Sequence, residues 1–319
     1  MASTNTKAAA EVQEKKFDWH QIKSYLPIIS FVAIVAIFAI LTGGALITPR
    51  NITLIISGGF TLMIATVGVY MIMSMGCLDF SQGSMMGLSC AVVCFLSQYN
   101  PIIAILGGMA TGALIGLINA LFHVKGQVQS FVVTMCMMFL LRGVIAYITT
   151  SSPVYAATYL TALATNTPLL IGIVVAVLVI AYLVLHFTAL GSNLKAIGAS
   201  ESGARFAGIN VQRTKIIIYV VAGAITGFAA LINAIRIGSV TSQAGNMLET
   251  QILIALVLGG MPINGGARSR FSSVVTGVLS YLVLQRGLVM LGFTTEIQQL
   301  ILGIVFVIAC LNVCTGLIC

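Results

Sequence analysis

Apolar runs long enough to cross a bilayer, cut by short polar breaks, fill this chain from Pro27 onward. The first runs from Pro27 to Ile47, is broken by Thr48-Pro49-Arg50-Asn51, and is followed by Ile52 to Met75. The segment GCLDFSQG, Gly76 to Gly83, then interrupts the pattern with Asp79 before Ser84 to Gln98 resumes it. Tyr99-Asn100-Pro101 predicts a tight turn into Ile102–Phe122, and the short basic loop His123–Gln129 leads into Ser130–Thr149. The uncharged stretch Thr150–Thr167 suits an external loop; Pro168–Phe187, the polar stretch Leu190–Lys215 and the apolar Ile216–Ile235 follow it. Arg236–Asn246 is polar and Leu248–Leu258 apolar, and the basic loop GGMPINGGARSR, Gly259–Arg270, precedes Phe271–Leu284 and Ile297–Val313. At about 20 apolar residues per crossing, the pattern predicts an all-α polytopic membrane protein with about ten transmembrane helices. Around Asp79 two readings stand: two full spans, or one broken, re-entrant unit.

Composition agrees and narrows the class. Hydrophobic residues make up 59% of the 319 and charged residues 7%, whereas a soluble surface needs roughly a quarter charged. The net charge of +8 is placed as the positive-inside rule expects, which argues against a nucleic-acid partner. With the N-terminus inside, the inner side carries Lys7, Lys15, Lys16, Lys23, Lys125, Lys195, Arg205, Arg213, Lys215, Arg268 and Arg270. Outer loops and span interiors keep Arg50, Arg142, Arg236 and Arg286. Residues 1–26 therefore read as a retained cytoplasmic tail, with Phe17, Trp19, Ile22 and Leu26 suited to the lipid interface, and residues 27–319 as one transmembrane domain. The seven Cys residues lie in or beside apolar runs, Cys310 and Cys314 on one helix face, without His or acid at metal spacing; they read as small buried hydrophobes.

Chemistry is sparse. There is no phosphate-binding glycine loop, no HExxH and no recognisable catalytic triad, and His20, His123 and His186 are scattered. A carboxylate at mid-membrane costs roughly 2.5–3.5 kcal/mol on insertion scales, so Asp79 either lines a cavity or pairs, or else lies in a cytoplasmic turn with Ser81 and Gln82. Ion coupling needs a second intramembrane acid, and Glu249, at the start of a span near the outer face, is the candidate. Asp79, Ser81, Asn119, Gln129, Asn233 and Glu249, with Gln127 and Gln251, are candidates to line a path for a hydroxyl-rich solute; interhelical hydrogen bonding is the plainer role for each. GALIGLINA at Gly112 echoes GAITGFAALINA at Gly223, with small residues spaced for close helix packing.

The stretch Leu190–Lys215 predicts a short helix at its centre. Ser200 can cap its N-terminus, Glu201 suits the positive end of the dipole, and Gly208 can end it in a left-handed turn. Phe206 is the one large apolar group of that helix. It either rests on lipid headgroups or docks a soluble subunit.

Four ordered patterns resemble one family. GCLDFSQGS at Gly76–Ser84 is similar to the GIDLSVGS-type motif of ribose-type sugar permeases of ABC importers. SFVVTMCMMFLLRGV at Ser130–Val144 resembles their span ending in an Arg-Gly pair, AIGASESGARFAGINVQRTK at Ala196–Lys215 their cytoplasmic loop, and LVLGGMPINGG at Leu256–Gly266 their late Gly-Gly loop. The matches run from about Asn51 to Asn312. The resemblance implies the ABC importer permease fold in a prokaryotic inner membrane, as a homodimer working with a separate ATPase, which holds the ATP and Mg, and an extracytoplasmic solute-binding protein. It implies a non-catalytic chain without a cofactor of its own. ATPase coupling would fall on Ser200, Glu201, Arg205, Phe206, Gly208 and Asn210, and the solute would be a monosaccharide such as a pentose or hexose. Cys77-Leu78 for Gly-Ile, Gln82 for Val and ARSR at Ala267–Arg270 depart from the family pattern. A nucleoside or another small polar solute is the alternative cargo, and an ion-coupled secondary transporter the competing class.

Overall fold

The computed structural model describes residues 19–266 and 269–315, and side chains between 27 and 311. The lysines of the tail, Phe17, Arg268, the Cys314 side chain and the interfacial placement of Trp19, Ile22 and Leu26 lie outside the described residues. α1 (Trp19–Leu41) contains Pro27 and ends at Gly43-Gly44, before a 3-10 turn at Ala45–Ile47; the first apolar run is therefore helical for less of its length than expected. α2 (Pro49–Ser74), α3 (Gln82–Ser97), α4 (Pro101–Val124) and α5 (Ser130–Ile148) follow. The Asn100 side chain caps α4 by accepting from the Ile102 amide at 2.8 Å, which makes the Tyr99-Asn100-Pro101 turn.

The uncharged stretch holds β1 (Val154–Tyr155), α6 (Thr158–Ala162) and a 3-10 turn, Leu163–Thr165. Beyond it come α7 (Thr167–Phe187), α8 (Ala189–Ala199), α9 (Glu201–Phe206), α10 (Val211–Ile237), β2 (Ser239–Val240), α11 (Leu248–Leu258), α12 (Ser272–Met290) and α13 (Thr295–Thr315). β1 and β2 pair antiparallel, Val154 with Val240 and Tyr155 with Ser239. Two-residue strands carry no alternation, so the hydrophobic pattern does not announce them.

By length and composition α2, α4, α5, α7, α10 and α12 can each cross a membrane, and Pro27–Leu41, α3, α11 and Thr295–Leu311 are shorter apolar helices. The six and the four together correspond to the ten apolar segments of the sequence, of which six are long enough to cross. α2, α10 and α12 are the interior, while α7 shows most of its surface outward. α10 lies along α4 in antiparallel contact so close that a Cβ at Gly112 would overlap the Gly223 carbonyl, and one at Gly227 the Gly108 carbonyl. The sequence echo between these two helices is thus a mated pair of small-residue surfaces.

The polar stretch Leu190–Lys215 is helical almost throughout, as α8, α9 and the first turn of α10. It sits at the end of the bundle where Lys125, Lys195, Arg205, Arg213, Lys215 and Arg270 gather. This is the basic end. There Gly198 of α8 packs on the Ser74 carbonyl of α2 and on Gly266 of the late loop, whose amide donates to that carbonyl at 3.2 Å.

Candidate functional site

Between α2 and α3 the chain leaves helical geometry inside the bundle. Gly76, at φ 74°, lets α2 close in a left-handed turn: its amide donates to the Met73 carbonyl at 2.9 Å and the Cys77 amide to that of Ile72 at 3.3 Å. The peptide groups that follow have no helical partners, and an unpaired one in a bilayer costs several kcal/mol. α5 supplies the partners. Ser130 Oγ accepts from the Leu78 amide at 3.1 Å and donates to the Leu78 carbonyl at 2.5 Å, and Thr134 Oγ1 accepts from the Phe80 amide at 3.2 Å. Their spacing puts both hydroxyls on one face of α5.

Asp79 is 1% exposed. Its Oδ1 accepts from the Ser81 amide at 2.8 Å and the Ser81 hydroxyl at 2.6 Å, and its Oδ2 from Gln82 Nε2 at 2.7 Å. Ser81 Oγ accepts from Asn119 of α4 at 2.8 Å, and Gln82 Oε1 accepts the hydroxyl of Thr226, at mid-α10. Asp79 does make an Asx turn, as one of the two readings held, but a buried one. The broken-unit reading describes this region: α3, about 24 Å long at 1.5 Å per residue, starts within the bundle instead of at its surface.

Glu249 stands at the head of α11, as expected of an acid that begins an apolar run. It lies in the first turn of α11, 5% exposed, and its Oε1 accepts from Arg142 of α5 at 2.5 Å, an ion pair whose Arg side chain is 34% exposed. Glu249 Oε2 has no hydrogen-bond partner and lies against Gly83, where a Cβ would overlap it. The turn before α11 dips into the bundle as well: the carbonyls of Gly245 and Ala244 press on Gly83 and Gly87 of α3. The N-termini of two short helices, α3 and α11, therefore meet inside the bundle, with Asp79 and Glu249 beside them.

The structure thus brings Asp79, Ser81 and Asn119 into one network and puts Glu249 next to it. Asn233 stands apart, half-buried, its Nδ2 3.7 Å from Cys90 Sγ, and Gln129 is exposed ahead of α5. Thr226 and Arg142 were missed as partners. The signal for each was a polar side chain within an apolar helix.

At the basic end, Ser200 Oγ accepts from the Gly203 amide at 3.1 Å and caps α9. Gly208, at φ 83°, closes the helix, its amide donating to the Arg205 carbonyl and that of Ile209 to the Ala204 carbonyl, both at 3.0 Å. Asn210 caps α10, accepting from the Arg213 amide at 3.0 Å. Glu201 bridges Arg205 at 2.7 Å and Lys215 of α10 at 2.8 Å. The Lys215 hydrogen bond, ahead of the Lys215 and Arg205 charges, holds its carboxyl below the usual range. Phe206 is 94% exposed. All six predicted coupling residues belong to this one capped unit.

A bundle of apolar helices with two breaks inside it and a short capped helix displayed at its basic end has the form of a membrane permease. The chain belongs to the family described as the permease component of the branched-chain amino acid transport system, which matches residues 51–310. It is 32% identical over 308 residues to the ribose import permease protein RbsC of Escherichia coli, across 91% of this chain and 92% of that protein. To the ribose import permease of Bacillus subtilis it is 32% identical over 272 residues, covering 81% of this chain and 80% of that one. The L-arabinose ABC transporter permease protein of Azospirillum brasilense is 29% identical over 279 residues, 83% of this chain and 80% of that protein. No solved structure matches the chain. It is a multi-pass, non-catalytic membrane subunit, and ATP hydrolysis belongs to a separate chain of such a system.

Proposed function

We propose that this chain forms the translocation path of an ATP-driven importer for a monosaccharide of the pentose or hexose class. The relatives named for ribose and L-arabinose support that cargo. In this reading two copies pair in the bacterial inner membrane, an extracytoplasmic binding protein delivers the sugar, and the ATPase engages the basic end from the cytoplasm. Tail residues 1–26 lie on that same side. The observation that carries the reading is a pair of polar ties, one at each end of a stretch of α10, that connect α9 to the broken helix. Glu201 of α9 holds Lys215 of α10, and Thr226, further along α10, holds Gln82 beside Asp79. Movement of α9 by an ATPase therefore acts on α10 as a lever and on the α2–α3 break through Thr226. The bundle then rocks between outward- and inward-open states. Asp79, Ser81, Asn119 and Glu249 flank the converging N-termini of α3 and α11, where the positive helix ends and the amides suit a hydroxyl-rich solute. Ion coupling has weaker support, since Asp79 is engaged by three hydrogen bonds and Glu249 by Arg142.

The test is uptake into proteoliposomes holding this chain with its ATPase and binding protein, across a panel of pentoses, hexoses and nucleosides. Sugar uptake that requires ATP is the expected result. Uptake driven by an ion gradient without ATP, or uptake confined to nucleosides, would overturn the reading.

A further inference from the structure

A cavity of about 290 Å³ opens at the basic end, beside the last turn of α2 and apart from α9. Its walls come from the ends of α2 and α7, from α8 and from the start of α12. Lys195 and Arg270 line it together with His186, and no acidic residue does. Lys195 makes no ion pair among the described residues. Ser269, 1% exposed, lines the same cavity, and its hydroxyl makes no hydrogen bond of normal geometry. The Tyr70 hydroxyl is its one loose neighbour; a buried hydroxyl so weakly engaged is costly, and one at the wall of a basic cavity points to a ligand that completes it.

The helix that opens there adds to the case. α12 is 19 residues long, and it starts at Ser272 with Phe271 in the capping position, no side-chain cap and no acid in its first turn. The Ser273 and Val274 amides turn back on the Arg270 and Phe271 carbonyls, and among the described residues no acid or side-chain cap offsets the positive end of its dipole at the cavity. One wall is aromatic: Tyr182 stacks on His186 with ring centroids 5.3 Å apart and leans on Phe271 at 5.9 Å. Both Tyr182 and His186 are exposed on the outward face of α7, as groups at a headgroup boundary are.

From this geometry we infer that the cavity bounded by Lys195, His186, Ser269 and the N-terminus of α12 is a binding site for a phosphate oxyanion. Lys195 gives the point charge, the Ser269 hydroxyl donates to a phosphate oxygen, and the helix end favours the negative group. The same chemistry is presented by an anionic phospholipid headgroup of the adjoining leaflet and by a soluble phosphate; basic pockets at the cytoplasmic ends of membrane helices take such headgroups. Only the side of the membrane rests on the proposed orientation. The site itself does not depend on the transported solute.

The test is native mass spectrometry of the permease purified with its ATPase, titrated separately with phosphatidylglycerol, phosphatidylcholine and inorganic phosphate. The wild type is expected to retain phosphatidylglycerol or phosphate above phosphatidylcholine. Lys195→Gln should lower that retention about fivefold, the factor for one basic residue at a membrane surface. Ser269→Ala, which removes a single buried hydroxyl and spares the packing, should lower it as well. Retention of phosphatidylglycerol alone identifies a lipid headgroup as the source, and retention of phosphate identifies a soluble anion. Retention no greater than that of phosphatidylcholine, or retention unchanged in both variants, overturns the assignment.

Discussion

Among the described residues, the charged groups inside this bundle each meet at least one partner, and that is how the chain tolerates them. Arg142 meets Glu249, the Arg236 guanidinium lies 5.9 Å from the Phe60 ring centroid, and Arg286 donates to Asn51 at 3.1 Å. Asp79 is the most tightly held, since every bond it accepts comes from a residue within three positions of it. Asp79→Asn places an amide donor against the Ser81 or Gln82 donors and leaves one of them unpaired, at about 1–3 kcal/mol. The variant should melt several degrees lower in detergent, by fluorescence-monitored unfolding, and should lose uptake. The pair at the other break predicts an asymmetry. Arg142→Gln leaves Glu249 buried without its cation and should destabilise more than the double variant Arg142→Gln/Glu249→Gln, a coupling that a double-mutant cycle measures directly.

Glu201 gives a pH dependence of known sign. Its carboxyl is held below the usual range by the Lys215 hydrogen bond first, so its contribution is fully present above the unfolded value of about 4.3. That contribution is lost as pH falls through the depressed folded value. The difference in melting temperature between wild type and Glu201→Gln should therefore stay constant from neutral pH down to the ordinary carboxylate range and close only below it.

At the scale of elements, α9 is rigid where it meets α10 and bare at its tip. Ser200 and Gly208 fix its ends, Glu201 ties it to α10, and Phe206 touches almost nothing in this chain. Burying an aromatic side chain is worth about 1.5–3 kcal/mol, so Phe206→Ala should weaken ATPase association by tenfold or more while leaving the permease melting temperature unchanged. Equal association of wild type and variant in a pull-down titration would contradict docking at α9. The α4–α10 contact is a packing claim. Gly112→Leu forces a side chain into the Gly223 backbone and should cost at least 1–3 kcal/mol, whereas Gly58→Ala, with nothing within 4 Å of its Cβ, should be neutral.

The caps of α9 were legible because Ser200 and Gly208 act locally, and a residue's backbone preference can be read without its neighbours. The length rule found the long helices for a similar reason. What the pattern did not reveal were relations between distant segments. Thr226 with Gln82, Glu249 with Arg142 and the β1–β2 pair each join positions far apart in the chain, and one sequence carries no register between them. Glu249 was legible as the head of an apolar helix, but its burial was not, because that follows from the inward dip of the turn before α11.

At the scale of the whole molecule, two breaks near the centre and the exposed helix α9 at the basic end are joined by α10, a single helix of 27 residues. The coupled-lever account makes Thr226 the joint between that helix and the break. Thr226→Val keeps the side-chain shape and removes only the hydroxyl that Gln82 accepts. The measurement that tests the account most directly is ATP hydrolysis and sugar uptake, taken together, in proteoliposomes of this variant with its ATPase and binding protein. The account predicts that ATPase association and hydrolysis persist while uptake falls by tenfold or more, as expected when about 1.4 kcal/mol or more of coupling is lost. Uptake at the wild-type rate, with hydrolysis unchanged, would contradict it.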